Sequence, residues 1–167
     1  RLEDAMARAV INALAGEEGS ILAFLPGTGE INGTARRLES RLPPGVRLYL
    51  LHGTMESAAQ DEAIRPAPAG IRKVVLATSI AETSITIDGV RVVIDCGYQR
   101  LPVFEPATGL TRLETVRASK ASVDQRAGRA GRTAPGIALR MWNAAQTASL
   151  PAFTPPEILA ADLTGLL

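Results

Sequence analysis

The chain has 167 residues, of which 46% are hydrophobic and only 4% aromatic, so we expect one domain whose core of Ala, Leu, Ile and Val forms a parallel sheet covered by helices. A net charge of +1 favours no class of partner, and one cysteine and one histidine argue against an intramolecular disulfide and against a cysteine or zinc cluster. No apolar run reaches the length of a membrane span and the first residues do not form a signal peptide, so we expect a cytoplasmic protein without membrane contacts.

Helical and buried-strand patterns alternate through the first part of the chain. The predicted elements, in order, are a helix over 2–14, a strand over 21–25, a helix over 31–42, a strand over 47–51, a helix over 57–64 and strands over 73–77 and 90–95. Gly16 is a natural stop for the first helix, Pro43 ends the second, and Ser57 is a candidate N-cap for the third. The order strand, tight turn, helix, strand is typical of a βαβ unit.

The turn Gly27-Thr28-Gly29, between the first strand and the second helix, has the beginning of a dinucleotide-binding fingerprint. That fingerprint needs a further glycine at position 32, where this chain has Asn32. The next strand ends in His52 rather than in the acid that would hold a ribose. These two departures argue against a Rossmann-type oxidoreductase.

A polar loop, residues 78–89, joins the predicted strands 73–77 and 90–95. It is rich in hydroxyl groups and contains two acids, Glu82 and Asp88. In α/β folds, ligands bind at the edge of the sheet where parallel strands end. Hydroxyl groups at such an edge can hold phosphate and sugar oxygens without regard to base sequence. The loop is therefore a candidate ligand-binding segment.

A hairpin is predicted after the fourth strand, because β-prone residues 99–104 and 110–116 flank a turn that contains Pro106 and Gly109. A helix over 119–127 and a last strand over 137–142 follow. We therefore expect one α/β domain over residues 1–150. Prolines then make a stiff linker, and a further helix begins at Glu157, so residues 151–167 would open a second domain.

The octet 125–132, Gln-Arg-Ala-Gly-Arg-Ala-Gly-Arg, contains three arginines and two glycines but no acid. If the preceding helix continues through it, Gln125, Arg129 and Arg132 lie on one face, and Arg126 points about 100° away, where we expect a structural ion pair. Glycine costs about 1 kcal/mol against alanine inside a helix, so we expect the two glycines to serve a close approach. Because guanidinium groups bind phosphate oxygens in bidentate geometry, the octet predicts contact with a nucleoside triphosphate.

The octet resembles the sixth motif of superfamily 2 helicases in its DEAH-box form, and the loop 78–89 resembles the fifth. With Asp-Cys-Gly at 95–97 and Thr-Gly-Leu-Thr-Arg-Leu at 108–113, these sequences are most similar to DEAH-box RNA helicases of the bacterial HrpB type, and the likeness covers residues 19–142. The resemblance implies the second of two RecA-like lobes of an ATP-dependent RNA helicase. Its fold would be α/β: a parallel sheet with helices on both faces and an inserted β-hairpin.

The resemblance also implies roles for individual residues. Gln125 would orient the attacking water, and Arg129 and Arg132 would be arginine fingers. Residues that bind the nucleotide would be Ser84, Thr86 and Asp88. Residues that bind nucleic acid would be Gly27, Thr28, Gly29, Thr54, Thr78, Arg100 and Arg112. Two positions depart from the family pattern: Ser79 replaces the usual Asn, and Ile64 stands where several relatives have an aromatic side chain.

This sequence contains neither a Gly-x₄-Gly-Lys-Ser/Thr phosphate loop nor an acidic Asp-Glu-x-His box. The resemblance implies that an N-terminal RecA-like lobe of the same parent chain holds ATP and Mg²⁺, and that a winged-helix domain follows. RNA is the implied nucleic acid, with single-stranded DNA as a further candidate, and we expect the chain alone to be inactive as an ATPase. Two alternatives stay open: a standalone nucleic-acid-binding α/β module without ATPase function, and a phosphate-binding regulatory domain.

Overall fold

The computed structural model describes residues 1–83, 85–131 and 135–153, and the backbone of residues 158–159. The helices are α1 Leu2–Gly16, α2 Thr28–Leu38, α3 Ser57–Ile64, α4 Lys120–Ala127 and α5 Ala144–Thr147, with a 3₁₀ turn at Ser79–Ala81. The strands are β1 Ser20–Phe24, β2 Val46–Leu51, β3 Arg72–Ala77, β4 Val90–Asp95, β5 Tyr98–Glu105, β6 Leu110–Arg117, β7 Ile137–Arg140 and β8 Ile158–Leu159. No helix in these ranges is both long enough and apolar enough to cross a bilayer.

A five-stranded parallel sheet in the order β2-β3-β1-β4-β7 forms the centre of the molecule. Strand β1 lies in the middle, with Ile21 opposite Val74 of β3 on one side and Val92 of β4 on the other. Every residue of β1 is buried. Strands covered on both faces need continuous apolar runs. For this reason the strands could be predicted from apolar runs that show no alternation of polar and apolar residues.

Alternate residues of β1 enter two separate cores. Ile21 and Ala23 pack with the apolar faces of α1 and α2. Leu22 and Phe24 pack on the opposite side, with Ala63 of α3 and with residues of the loop between β3 and β4. The structure thus confirms the predicted sheet with helices on both faces.

The predicted hairpin is also present. Strands β5 and β6 pair antiparallel from Tyr98↔Arg117 to Glu105↔Leu110, and the turn ends at Gly109 in the left-handed region. Most of β6 is exposed, and Leu110 and Leu113 are 68% and 66% accessible. The hairpin therefore projects from the domain instead of adding a strand to the parallel sheet.

Many predicted boundaries shift by one to four residues, and those of α2, β7 and α3 have identifiable causes or caps. Helix α2 ends at Leu38, before the predicted end at Leu42, with Glu39 as its C-cap and a turn over residues 39–41. Pro43 disfavours the helical conformation only at Leu42. Strand β7 ends at Arg140, which pairs with Asp95, the last residue of its neighbour β4. Ser57 is the first residue of α3, and Glu56 is its N-cap.

The helix predicted from Glu157 falls almost entirely outside the described residues. The two positions whose backbone is described, Ile158 and Leu159, are extended and pair in parallel with Val103 and Phe104 of β5. The division of the chain into residues 1–150 and 151–167 stays a prediction.

Two neighbouring basic residues of β3 hold the ends of helices on opposite faces of the sheet. Arg72 donates hydrogen bonds to three carbonyl oxygens around the end of α1: those of Leu14, Glu17 and Gly19. Lys73 is 2% exposed, and its ammonium donates to three carbonyl oxygens at the end of α3: those of Glu62, Ala63 and Arg65. Burial lowers the pKa of Lys73. The position of its cation at the carbonyl end of α3 is favourable and offsets part of the free-energy cost of burying the charge.

Candidate functional site

The carboxyl ends of β1, β2 and β3 open into a groove of about 300 Å³. Its lining residues are Pro26, Gly27, Thr28, Gly29, His52, Gly53, Thr78, Arg100 and Leu113. Five of the seven residues predicted to bind nucleic acid line this groove: Gly27, Thr28, Gly29, Thr78 and Arg100. The structure therefore brings together predicted residues from three separate segments at the edge where α/β sheets bind ligands.

The start of α2 forms one wall of the groove. Its N-cap is Gly27 in extended geometry, and the bond from Ile31 N to Gly27 O is 3.0 Å long. The amides of Thr28 and Gly29 precede that bond and have no acceptor within the helix. Such amides, together with the positive end of the helix dipole, favour an anion in the groove.

Arg100 closes the groove from the hairpin side. Its Nη2 atom lies 2.9 Å from Glu30 Oε2 in α2 and donates to Thr115 Oγ1, also at 2.9 Å. A Cβ atom at Gly27 would overlap the Arg100 guanidinium, so a larger residue there would displace that side chain from its present position. Arg100 thus joins the hairpin to the first turn of α2, and its charge is already shared with Glu30.

The other two residues predicted to bind nucleic acid are not among the groove-lining residues. The Thr54 hydroxyl lies 2.8 Å from His52 Nδ1 and is exposed. Arg112 forms exposed ion pairs with Glu105 and Glu114 on the hairpin, at 2.6 and 3.0 Å. Their contacts with nucleic acid stay predictions.

His52 and Leu113 line the groove although they were not predicted to bind a ligand. His52 follows β2 as Thr78 follows β3, and these strands are parallel neighbours, so the sequence contained a signal for His52. Leu113 reaches the groove only through the path of the hairpin, which the sequence does not specify.

Arg126 is fully buried, and its guanidinium forms hydrogen bonds with three side chains. Nε lies 2.8 Å from Glu82 Oε2, Nη1 lies 2.7 Å from Asp95 Oδ1, and Nη2 lies 3.1 Å from Ser79 Oγ. The same Asp95 oxygen accepts a hydrogen bond from Gly97 N, at the root of the hairpin. These contacts confirm the ion pair expected for Arg126, and Ser79 retains a hydrogen bond despite its departure from the family pattern.

The charge of Arg126 is stabilised inside the protein. Burial alone lowers the pKa of the guanidinium, but the carboxylates of Asp95 and Glu82 raise it, and the net shift is upward. Arg126 is therefore permanently charged at this buried position.

The helix does not continue through the described part of the octet, which is the condition for placing Gln125 and Arg129 on one face. Helix α4 ends at Ala127, with Gly128 as its C-cap, and Arg129 N then bonds to Arg126 O in a tighter turn. Gly131 has a φ of 72°, which only glycine adopts readily, and this ends the helical path. Gln125 and Arg129 are therefore not joined by a regular helix. The glycine at position 131 is explained by its left-handed backbone conformation.

The segment after α4 runs along the loop between β3 and β4. Arg129 is partly buried, and its Nε donates to the carbonyl oxygen of Glu82, while Gly131 N donates to Val90 O at 3.0 Å. These two contacts bracket the stretch that contains Thr86 and Asp88, both exposed. The structure thus places Arg129 beside the loop predicted to bind a nucleotide.

The remaining predicted site residues have different outcomes. Gln125 is exposed on α4. Arg132 and Ser84 lie outside the described residues. Glu82 and Asp95, which hold Arg126, were not predicted as its partners.

Comparison with known proteins identifies close relatives of this chain. The family profile of the helicase conserved C-terminal domain matches residues 5–134. The chain is 52% identical over its whole length to the ATP-dependent RNA helicase HrpB of Escherichia coli and 41% identical over 88% of its length to the ATP-dependent RNA helicase DHX33 of Drosophila melanogaster. It covers 21% and 22% of those proteins, so it spans about a fifth of the relatives it matches.

Solved structures agree with the sequence comparison. The crystal structure of Escherichia coli DEAH/RHA helicase HrpB superposes on 99% of this chain with a TM-score of 0.89 at 52% identity, and the match covers 21% of that structure. A second crystal structure, of the Escherichia coli DExH-box NTPase HrpB, matches 93% of this chain and 19% of its own with a TM-score of 0.87 at 51% identity. These matches confirm the RecA-like fold expected from the sequence.

Proposed function

The chain belongs to the family of helicase conserved C-terminal domains, and we propose that it is the second RecA-like lobe of an ATP-dependent RNA helicase. One observation supports this most directly: the loop 78–89 begins at Thr78 in the groove, and its residue Glu82 accepts a hydrogen bond from Arg129 through its carbonyl oxygen. A single loop thus connects a candidate nucleic-acid groove to a candidate triphosphate-binding arginine.

The residues around Arg129 fit one side of a nucleotide. They provide a guanidinium for phosphate, and a hydroxyl and a carboxylate, from Thr86 and Asp88, for ribose hydroxyl groups. In the described residues no group of three or more His, Cys, Asp or Glu could hold a metal ion. We therefore place ATP between this chain and an N-terminal RecA-like lobe of the parent polypeptide, which would hold Mg²⁺ and the phosphate loop.

When bound, ATP supplies the γ-phosphoryl group that is transferred to water. The side chains of this lobe stabilise negative charge and position the water. Arg129 and Arg132 neutralise the charge that develops on the phosphoryl oxygens, and Gln125 accepts a hydrogen bond from the attacking water. Ser84, Thr86 and Asp88 hold the nucleotide against the loop. Domain closure brings these groups to the triphosphate, and opening moves them away, which couples hydrolysis to movement along the nucleic acid.

On the groove side, the amides at the start of α2 and the hydroxyls of Thr54 and Thr78 bind backbone phosphates. Arg100 and Arg112 add positive charge along the hairpin. Contacts of this kind position a strand without reading its bases, as a motor that moves along RNA requires. Single-stranded DNA offers the same phosphates and is a second candidate ligand.

The proposal is tested by ATP hydrolysis in the parent polypeptide, with and without single-stranded RNA, and in this chain alone. We expect RNA to stimulate the parent and the isolated chain to show negligible turnover with either ligand. Substantial hydrolysis by the isolated chain would contradict the two-lobe site. RNA binding by the parent that depends on salt but is indifferent to ATP would favour the standalone binding module instead.

Arg100→Gln in the parent is expected to weaken RNA binding by about 10-fold, because one charge-assisted phosphate contact is lost. The slope of log affinity against log salt concentration should fall by about one unit. Fluorescence anisotropy at several salt concentrations measures both quantities.

Arg37→Gln is the matched control for this variant. Arg37 pairs with Asp4 at 2.5 Å with 35% of its side chain exposed, compared with 2.9 Å and 26% for the Arg100–Glu30 pair. Arg37 is not among the groove-lining residues. Equal losses of affinity in the two variants would show that Arg100 acts only through the overall charge of the protein.

A further inference from the structure

Arg126 joins the two sides of the proposed site from within the protein. It has no solvent exposure, and the three side chains that accept its hydrogen bonds come from the 3₁₀ turn, the residue after that turn and the end of β4: Ser79, Glu82 and Asp95. The proposed catalytic role uses its neighbours in the octet but not Arg126 itself. Its contacts therefore need a separate explanation.

The first contact reaches the groove. Ser79 Oγ accepts a hydrogen bond from Arg126 Nη2 at 3.1 Å, and Ser79 directly follows the groove-lining Thr78. The backbone of Thr78 is itself fixed by a 3.2 Å bond from its amide to the carbonyl of Leu51, at the end of β2. A ligand that shifts Thr78 must therefore shift Ser79 relative to Arg126.

The second contact reaches the arginine proposed as a finger. Glu82 accepts from Arg126 Nε through its carboxylate and from Arg129 Nε through its carbonyl oxygen. One residue thus receives hydrogen bonds from two arginines of the octet. Any movement of Glu82 relative to Arg126 also moves the acceptor that holds Arg129.

The third contact provides the fixed reference. Asp95 ends a buried strand of the central sheet, and its carboxylate holds both Arg126 Nη1 at 2.7 Å and Gly97 N at 2.8 Å. A planar guanidinium with charge-assisted bonds at three of its nitrogens has little freedom to rotate. Because the guanidinium is rigid, a shift of Ser79 moves the whole group about its bond to Asp95 and so moves Glu82 as well.

We propose that Arg126 is a positioning residue that sets the place of Arg129 according to the position of the Thr78–Ser79 backbone in the groove. The inference rests on the proposed function, because it assumes that the groove binds RNA and that Arg129 acts on ATP. It assigns the stimulation of hydrolysis by RNA to a physical path: Thr78, Ser79, Arg126, Glu82 and Arg129.

Arg126→Lys in the full parent polypeptide tests this assignment. Lysine keeps the buried charge, but a single ammonium cannot span three acceptors that a guanidinium fork reaches in different directions. The RNA-saturated rate of ATP hydrolysis should fall by about 100-fold, as expected for a displaced catalytic group. The rate without RNA and the KM for ATP should change little, so the ratio of stimulated to unstimulated rates collapses.

A purely structural role predicts a different result. Lost folding would lower both rates by the same factor and leave their ratio unchanged, which would overturn the proposal. Arg37→Lys, far from this cluster in the exposed pair with Asp4, is the matched control and should retain the wild-type ratio. Ser79→Ala removes only the contact on the groove side without unpairing a buried charge, so it decides the question if Arg126→Lys fails to fold: its ratio must also fall.

A double variant locates the effect. If Arg126 acts through Arg129, adding Arg126→Lys to Arg129→Ala leaves the RNA-stimulated rate unchanged from Arg129→Ala alone. Independent multiplication of the two losses would overturn the path. A wild-type parent without RNA-stimulated hydrolysis would overturn the proposed function and the inference with it, whereas normal stimulation in wild type and in Arg126→Lys would overturn the inference alone.

Discussion

Replacing Arg129 by alanine in the parent polypeptide is expected to lower the RNA-stimulated rate of ATP hydrolysis by about 10³-fold or more. In its proposed role the guanidinium stabilises charge that is greatest in the transition state, so its loss should lower kcat more than it weakens ATP binding. The structure favours this role because Arg129 lies on a short turn beside the loop that contains Thr86 and Asp88 and is held there by Glu82 O.

Steady-state kinetics at saturating RNA, with ATP affinity measured separately, check this expectation. Arg37→Ala removes an arginine of another surface and should leave kcat within the error of wild type. A kcat for Arg129→Ala close to wild type would refute the finger assignment. For Arg132, which lies outside the described residues, the sequence predicts the same pattern: stimulated hydrolysis abolished and ATP binding nearly intact.

Replacing Arg126 by methionine is expected to destabilise the folded chain by about 3–5 kcal/mol, because it leaves two buried carboxylates without their cation. The side chains of Glu82 and Asp95 are only 10% and 3% exposed, so water cannot replace the guanidinium without opening the loop. A loss of this size is a large fraction of the stability of an ordinary domain.

Guanidinium-induced unfolding measures the change, with Arg37→Met as a control that should lose less than about 1 kcal/mol from an exposed pair. The combined variant Arg126→Met, Glu82→Gln, Asp95→Asn removes all three charges, and the amide of Asn can still accept from Gly97 N. It should recover part of the lost stability, since neutral polar groups are less costly to bury than unpaired charges. A single variant as stable as wild type would show that the cluster opens to water.

The sheet and its order of elements could be predicted because the signal is local. Residues 21–25, 74–77 and 92–94 are short apolar runs, as strands covered on both faces require. The ends of helices and strands could not be predicted where pairing with a neighbouring element sets them. Strand β7, for example, ends where its neighbour β4 ends, and nothing within residues 137–142 encodes that limit.

The octet shows both the reach and the limit of sequence patterns. Helical spacing correctly separated Arg126 from Arg129 and gave Arg126 a structural ion pair. The same spacing carried the helix too far, because glycine in a sequence indicates either a close approach or a left-handed turn, and at Gly131 the turn occurs. The partners of Arg126 are 31 and 44 residues away, and local patterns contain no information on such contacts.

Adjacent residues of β3 gave the sheet two anchors, Arg72 for α1 and Lys73 for α3. Neighbouring side chains on a strand point to opposite faces of the sheet, so a shift of β3 by one residue would turn each of the two cations to the other face. The buried ammonium would then face the end of α1, and the guanidinium would be forced toward α3, with neither reaching its carbonyl oxygens. During folding, Arg72 and Lys73 should therefore destabilise sheets in which β3 is out of register. Residues 74–77 are uniformly aliphatic and would not distinguish these registers by themselves.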